Sequence, residues 1–562
     1  MDDDSMCGPR QSSAADAVAA PLLHCCGHEL TVGPDAAVCA RCTTHLTVDD
    51  LGIVQLADVA PNGGEFEEFV AASSLRPIME AILRGDAAWT AERQQQLLDW
   101  STGVAAVLAG TPSGTFALDL ATGWTRLAEA IQSSDAHAVC ADHDYGRLRL
   151  TTMALGERPA TSVLLDPAEA LPWGDSSFST VFVRPAATPA DLDHILAEVA
   201  RVLTADGVAV IGSRRALDER DVRGSLRRIR RWWRPAWHLP GFRRAGLRAD
   251  RIYVIVPGSV GWAHVMPREH YAAWLLDRPR DSRRNRIAAW LARFGLSPFL
   301  ARECLIVASK ATSESTTPRP GLDPVVGGRF VASSMTAARV GVRGLDAFAK
   351  VPLSRTLHDA TRVEVQRTNQ ARAGAFGRFV VGSARVGQLG PIPYAMFPLV
   401  RGRTPMLASN ESYRDVEELL VRILAAVEPE VRPLHATDLW RALTDPPPYE
   451  PSEVGRLRDA LIPRCRDALV PAGPIHGDLH PWNLLLPELG GQPVVVDWAG
   501  YEENYPVAVD AIRSCVALYT ARTASDMRAG LEAFASGSVR GPLAEYASSH
   551  LGELSPLSAS AL

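Results

Sequence analysis

Between residues 115 and 213 the chain alternates short apolar runs with amphipathic stretches. The runs lie at 116–120, 136–141, 162–165, 180–183 and 208–211. Strand-length runs separated by helical segments predict a doubly wound parallel sheet. Upstream, Phe66, Phe69, Val70, Leu75, Ile78 and Ile82 recur at roughly helical spacing within residues 66–108, so that stretch reads as helix. Downstream, residues 345–351 alternate as a strand, 359–373 read as helix, and 394–399 read as a second strand. Two stretches follow no period. Residues 1–20 are polar and Ala-rich and predict a disordered leader, while 311–323 are rich in Ser, Thr and Pro and mark the principal boundary.

Length then bounds the organisation. At 562 residues and 47% hydrophobic, the chain exceeds one core and implies several domains. Lys+Arg 58 against Asp+Glu 64 gives a net charge of −6, which argues against a nucleic-acid partner. No apolar run is long enough to span a bilayer and the N-terminus is acidic, so the expectation is a cytoplasmic protein without a membrane span. Only Lys310 and Lys350 are lysines; the other basic residues are arginine. Arginine replaces lysine freely on a solvated surface but poorly where a compact ammonium must meet a phosphate, so each surviving lysine is a candidate. Residues 223–251 are dense in arginine and carry Trp232, Trp233 and Trp237. That stretch reads either as an amphipathic helix whose tryptophans pack inward, or as an anionic-ligand or lipid-surface patch.

Four of the nine cysteines fall between Cys25 and Cys42. The Cys39-Ala-Arg-Cys42 knuckle has the spacing of a tetrahedral Zn²⁺ site, while Cys25 and Cys26 are adjacent where two intervening residues are usual. Cys26, Cys39 and Cys42 are the firmer ligands, with Cys25, His24 or His28 completing the set; buried, unmetallated thiols are the other reading.

The densest chemistry is His476-Gly-Asp478-Leu-His-Pro-Trp-Asn483, followed by the apolar run 494–496 and Asp497. Phosphoryl transfer needs a carboxylate to accept the attacking hydroxyl's proton, and hard oxygen ligands to hold Mg²⁺ against the phosphates. A tight loop places Asp478 and Asn483 on one rim, and the strand delivers Asp497 opposite. These residues resemble the aminoglycoside phosphotransferase and choline kinase family over about residues 322–540. The resemblance implies ATP as donor, Asp478 as catalytic base, Asn483 and Asp497 as Mg²⁺ ligands, His476 as the residue that orients the loop, and Asp510 as a supporting carboxylate. It further implies Lys350 on a strand at the nucleotide phosphates, Glu364 as its ion-pair partner, and a hinge near Leu399 for adenine. A glycine-rich phosphate loop is the family's usual device, and residues 329–342 lack one apart from Gly341.

Residues 115–213 resemble a class I S-adenosylmethionine-dependent methyltransferase core. By that resemblance Asp119 and Gly123 belong to the first cofactor turn, Asp142 to the ribose and Asp166 to the adenine. The usual GxGxG turn has become Ala121, Gly123 and Thr125, which narrows the room for a cofactor.

The expected architecture is a mixed α/β and α+β multidomain chain: a leader at 1–20, a zinc-ribbon-like segment at 21–60 and a Rossmann-like methyltransferase domain at 61–310. A linker at 311–323 then leads to a two-lobed protein-kinase-like domain at 324–400 and 401–562. The expected activity is ATP- and Mg²⁺-dependent phosphorylation of a small-molecule hydroxyl on a sugar, aminocyclitol or amino alcohol. Two readings stand against it. In one, methyl transfer is the main output and the kinase-like part only binds; in the other, both parts are binding modules.

Overall fold

Parallel strands need both faces covered, and the apolar runs of residues 115–213 are of that kind. The computed structural model describes most of residues 23–56, 101–312 and 330–554; residues 1–22, 57–100, 121–125, 215–240, 313–321 and 555–562, with shorter stretches elsewhere, fall outside the description. The leader, Cys26, Gly123, the tryptophans at 232, 233 and 237, and most of the 66–108 helical expectation therefore lie outside the described residues. By their contacts the residues form two compact units, one of 1–321 with 331–336 and one of 322–330 with 337–562.

In the first unit a short antiparallel meander runs through β1 (His24–Cys25), β2 (His28–Val32), β3 (Ala36–Cys39), β4 (His45–Val48) and β5 (Val54–Gln55), each paired to the next. After the buried helix α1 (Val104–Ala109) the predicted alternation appears. It comprises β6 (Phe116–Leu120), α2 (Arg126–Ser133), β7 (His137–Asp142), α3 (Tyr145–Leu155), β8 (Thr161–Leu164), β9 (Phe178–Val183), α4 (Pro189–Val202) and β10 (Leu203–Arg214). The parallel order is β8, β7, β6, β9, β10. The chain thus winds outward from β6 to β8 and returns to β9, which makes the carboxyl edge beside β6 a topological switch point.

Past β10 come β11 (Leu247–Pro257), β12 (Trp262–Pro267), α5 (Arg268–Asp277), α6 (Arg283–Arg293) and β13 (Glu303–Lys310). β13 inserts antiparallel between β10 and β11, and β12 pairs with β11. The region where sequence reading sought a phosphate loop holds another strand, β14 (Val331–Met335), which pairs with β12 through Val265 and Ala332. Its apolar Val331 and Ala332 suit a sheet partner better than a loop. Leu118, Leu120, Trp173, Phe178 and Val181 fill the core below the sheet.

The second unit opens with an antiparallel sheet of β15 (Arg339–Arg343), β16 (Ala347–Pro352), β17 (Arg385–Leu389) and β18 (Ile392–Pro398), ordered β15, β16, β18, β17. Helix α7 (His358–Ala373) lies between β16 and β17 in sequence and sends Val365 into the core beside Ala395 of β18. Two small sheets follow: β19 (Gly402–Arg403) with β22 (Leu484–Pro487) and β23 (Val494–Val495), and β20 (Glu430–Pro433) with β21 (Leu469–Ile475) and β24 (Glu502–Pro506). Around them pack α8 (Asn410–Leu424), α9 (Asp438–Thr444), α10 (Ser452–Cys465), α11 (Ala508–Thr523), α12 (Met527–Ala535) and α13 (Pro542–Ser549). One apolar cluster joins Leu420 and Ile423 of α8, Leu484, Val495 and Trp498, and Ala511 and Cys515 of α11, so the loops carrying the 476–497 motif rest on a continuous core. Among the described residues no helix is long and apolar enough to cross a membrane.

The amino-terminal meander is fused to the first unit's sheet. β5 pairs parallel with β8, Val54 opposite Val163 and Gln55 opposite Leu164, and a buried guanidinium fixes the join. Arg149 on α3 reaches Asp49 Oδ2 at 3.0 Å and both oxygens of Asp50, and the Tyr145 hydroxyl donates to Asp49 Oδ2 at 2.7 Å. Arg149 is 3% exposed, so removing it takes the countercharge from the Asp49 carboxylate, whose side chain is only 9% exposed. Arg149→Ala should release this edge by about 3 kcal/mol, roughly a hundredfold in the local opening equilibrium. Hydrogen exchange at residues 45–56 and 161–164 should speed up accordingly while the second unit stays unchanged; unaltered protection at those residues would remove the clamp.

Candidate active site in the second unit

Each residue of the 476–497 motif is held by a different backbone need. His476 closes β21 and is fully buried. Its Nδ1 accepts the Asp478 N–H at 3.2 Å and its Nε2 lies 2.9 Å from the Val496 carbonyl. An acceptor on one side and a donor on the other define the neutral ring protonated at Nε2. Burial, opposed by Asp510, keeps its proton affinity below the ordinary histidine value. Behind it, Asp510 of α11 accepts the N–H groups of His476 at 2.6 Å and Gly477 at 3.0 Å. Burial raises its proton affinity against the pull of His476 and those donors. Gly477 has φ +81°, and a Cβ there would lie 2.0 Å from the Gly500 carbonyl oxygen; only glycine lets these two loops approach.

The loop then presents Asp478. Arg513 Nε meets its Oδ1 at 2.8 Å and His480 Nε2 lies 3.5 Å from its Oδ2. Partial burial would raise the Asp478 carboxyl, but the His480 hydrogen bond and the Arg513 charge outweigh it and hold the acid below its ordinary range. Asn483 donates through Nδ2 to the Asp478 carbonyl at 2.9 Å, and its backbone carbonyl accepts the Val496 N–H at 2.9 Å. The loop carrying Asp478 and the strand leading to Asp497 are therefore stitched together twice, once by His476 and once by Asn483.

Asp497 sits in the left-handed region at φ +67°, ψ +61°, a conformation few non-glycine residues take and one that recurs at functional sites. Lys350 Nζ reaches Asp497 Oδ1 at 2.7 Å and Glu364 Oε1 at 2.6 Å. Burial alone would raise Asp497, yet the Lys350 ammonium holds it below its ordinary range. Arg339 of β15 lies 3.3 Å from the second Glu364 oxygen, and Glu364 is 1% exposed. Two cations and two carboxylates thus form a chain, Arg339 to Glu364 to Lys350 to Asp497, that ends at the partly exposed Asp497.

The structure brings together six of the residues singled out from the sequence: His476, Asp478, Asn483, Asp497, Lys350 and Glu364. Leu399 follows β18, with its N–H bonded to the Asp346 carbonyl at 3.0 Å. Arg339 and Arg513 escaped the sequence reading. Arg513 had a legible signal, since it follows Asp510 by three residues on the same helical face. Arg339 had none, because its partner Glu364 lies 25 residues away on another element. Beside Gly477 and Arg513 opens a cleft of about 400 Å³ walled by Asp438, Arg441, Asp445, Glu502 and Tyr505. Asp438 pairs with Arg441 at 3.0 Å, and Glu502 pairs with Arg367 of α7.

In the first unit Asp119 is buried in β6 opposite Cys140, and Asp142 ends β7. Asp142 accepts the Asp144 N–H at 3.1 Å and meets His143 Nδ1 at 3.1 Å. Burial first, then both carboxylates, push the Cys140 thiol far up; Asp119 lies in register with Cys140, and Asp142 falls two residues further along β7 on the same side of the sheet. Asp166 is exposed just beyond β8. Of the expected zinc ligands, Cys39 is buried in β3, Cys42 is exposed in the next turn, and Cys25 ends β1. Among the described residues no three His, Cys, Asp or Glu side chains group as a metal site.

Residues 336–546 match the family model of the phosphotransferase enzyme family, and residues 118–211 that of a methyltransferase domain. The chain therefore contains a phosphotransferase domain and a methyltransferase domain. Among solved structures it is similar to a chain of the Haloferax volcanii complex between the Trm112 methyltransferase activator and a methyltransferase, with 18% identity over 40% of this chain and 96% of that one and a TM-score of 0.27. It is also similar to a TehB-like SAM-dependent methyltransferase from Corynebacterium glutamicum, with 16% identity over 44% and 100% and a TM-score of 0.25. A third is Haemonchus contortus phosphoethanolamine N-methyltransferase 2, with 14% identity over 43% and 60% and a TM-score of 0.25. No curated protein matches the chain.

The neutral His476 ring carries a pH dependence. As pH falls through the ordinary histidine value of 6.5 the unfolded chain takes up a proton that the folded ring refuses, so the stability it contributes is full above that pH and is lost below it. The melting temperature of the second unit should drop between about pH 7 and pH 5.5, and more steeply in the wild type than in His476→Gln. Parallel slopes in the two proteins would show that the ring is not held neutral.

Proposed function

We propose that the second unit transfers the γ-phosphoryl group of ATP to a hydroxyl on a sugar, aminocyclitol or amino alcohol, with Asp478 as general base. The observation that carries the reading is the double stitching of the Asp478 loop to the Asp497 strand through His476 and Asn483. It fixes the ionised Asp478 next to Gly477 and Arg513, which line the open cleft, and ties its loop to the strand that leads to Asp497. Mg²⁺, when bound, would neutralise charge developing on the transferred phosphoryl group. The donor set suits that ion: Asp497 is ionised, and the Asn483 amide spends its N–H on the Asp478 carbonyl, which turns its oxygen away from that carbonyl.

The other residues follow from their contacts. Lys350 offers a compact ammonium, steered by Glu364, to the α- and β-phosphates, and the strand end at Leu399 receives adenine. Asp478, kept ionised by Arg513 and His480, accepts the acceptor hydroxyl's proton as its oxygen attacks phosphorus. Arg513 and the cleft walls orient that acceptor.

A second activity rests on the first unit. Asp119 and Asp142 converge at the carboxyl edge beside the switch point, where a doubly wound sheet binds its ligand, and we assign S-adenosylmethionine to that edge, with Asp142 at the ribose and Asp166 near the adenine. Residues 21–60 are assigned as a zinc ribbon, with Cys25, Cys26, Cys39 and Cys42 as its Zn²⁺ ligands. Label transfer from S-adenosylmethionine and from γ-labelled ATP, run on one panel of small hydroxylated and aminated compounds, ranks the two outputs. Methyl transfer with no phosphate transfer to any compound would make the first unit the working enzyme.

Asp478→Asn should lower phosphate transfer on the order of 10³-fold while leaving affinity for ATP with Mg²⁺ nearly unchanged; wild-type turnover in that variant would remove Asp478 as base. Arg513→Gln tests the electrostatics. Losing that guanidinium lets the Asp478 acid rise, so the acid limb of the kcat/KM profile should move to higher pH. A limb that stays in place would show that Arg513 does not set the base.

A further inference from the structure

Helix α6 is inside out for a surface helix. Amphipathic helices turn large apolar side chains to the core and polar ones to water. In α6 the residues facing the core are small: Ala289 and Ala292 are 4% and 6% exposed and pack beside Tyr271 and Leu275 of α5. The opposite face carries Ile287 and Trp290, exposed by 49% and 57%, and Phe294 in the turn directly after the helix, exposed by 65%, continues it. Their spacing of three and four residues places them on one stripe, and the Trp290 and Phe294 rings lie 4.9 Å apart, so they form one continuous ridge.

The charges beside the ridge have one sign. The helix RRNRIAAWLAR carries Arg283, Arg284, Arg286 and Arg293 and no acidic residue, although the whole chain is net −6. Arg283, Arg286 and Arg293 are exposed, and at about 100° per residue Arg286 and Arg293 fall along one side of the ridge. On α5, which packs against it, the acids Glu269 and Asp277 are exposed to water, and Asp281, two residues before α6 in sequence, lies outside the described residues.

We propose that α6 is a peripheral membrane-binding element that lays its Ile287, Trp290 and Phe294 ridge into an anionic lipid surface. Trp and Phe bury in the headgroup boundary while long arginine side chains extend to lipid phosphates. Charge complementarity selects an anionic surface. The convex form of the ridge selects a deformable one, since three large side chains on a single helix need a matching groove in a protein partner and need none in a bilayer.

The test uses the full chain with vesicles. It should sediment with vesicles of phosphatidylglycerol mixed into phosphatidylcholine, less with added salt, and not with phosphatidylcholine alone. The double variant Trp290→Ser with Phe294→Ser should bind the anionic vesicles roughly tenfold more weakly while its melting temperature holds, because both side chains are already in water. Full vesicle binding by that double variant, which would place the lipid contact elsewhere in the chain, overturns the proposal. So does equal binding to neutral vesicles, or a concentration-dependent dimer that the double variant loses in the absence of any lipid binding. Trp290→Phe should retain most of the binding, and its loss of binding equal to that of the double variant would likewise count against an apolar insertion.

Discussion

The second unit's site depends on one buried imidazole. Beside Asn483, His476 joins the loop that carries Asp478 to the strand that delivers Asp497, because its two nitrogens face a backbone donor and a backbone acceptor from those two segments. A protonated ring would turn a second N–H toward the Asp478 amide and lose that bond, so neutrality is a geometric requirement. Asp510 serves the same end from below. Its carboxylate takes consecutive N–H groups that a sharp turn leaves without backbone partners, which lets the loop expose Asp478 without unpaired amides. Edge-on packing of the ring against Trp498, centroids 4.5 Å apart, fixes its remaining freedom.

Electrostatic closure is the second constraint. Glu364 and Lys350 are both almost without solvent, and an unpaired charge at either position costs several kcal/mol. Arg339 and Lys350 supply the countercharges to Glu364, and Asp497, 36% exposed, is the second partner of Lys350. Lys350 is thus shared between two carboxylates on different elements, and Glu364 faces two cations.

Much of this was legible in the sequence. The five strands expected between 116 and 211 all form, their limits differing by one or two residues except at β10, which runs from Leu203 to Arg214 because pairing with β13 extends it past its apolar stretch. The motif residues at 476–497 converge because their spacing encodes a turn and a strand, which are local objects. What could not be read is long-range pairing. β14 joins the first unit across a chain boundary that composition placed earlier; the parallel joint of β5 with β8 links segments more than a hundred residues apart; and Arg339 meets Glu364 through the register of two strands and a helix. No local pattern records such partners.

The scarcity of lysine was the one compositional signal that pointed into a site, and the geometry explains why. An ammonium at the end of a flexible stem presents three donors around one atom, so it can lie 2.6 Å from Glu364 and 2.7 Å from Asp497 at once. A guanidinium spreads its donors in a plane and its charge over a wider fork, which suits Arg339 and Arg513, each gripping a carboxylate from one side. At position 350 such a fork would either part Glu364 from Asp497 or turn its plane away from one of them. Lys310 makes the contrast. It ends β13 opposite Leu247, partly open to water, and nothing in its surroundings requires an ammonium. In a chain almost without lysine, one stands where the buried Glu364 and the partly exposed Asp497 meet a single nitrogen, and that demand belongs to the site rather than to the fold.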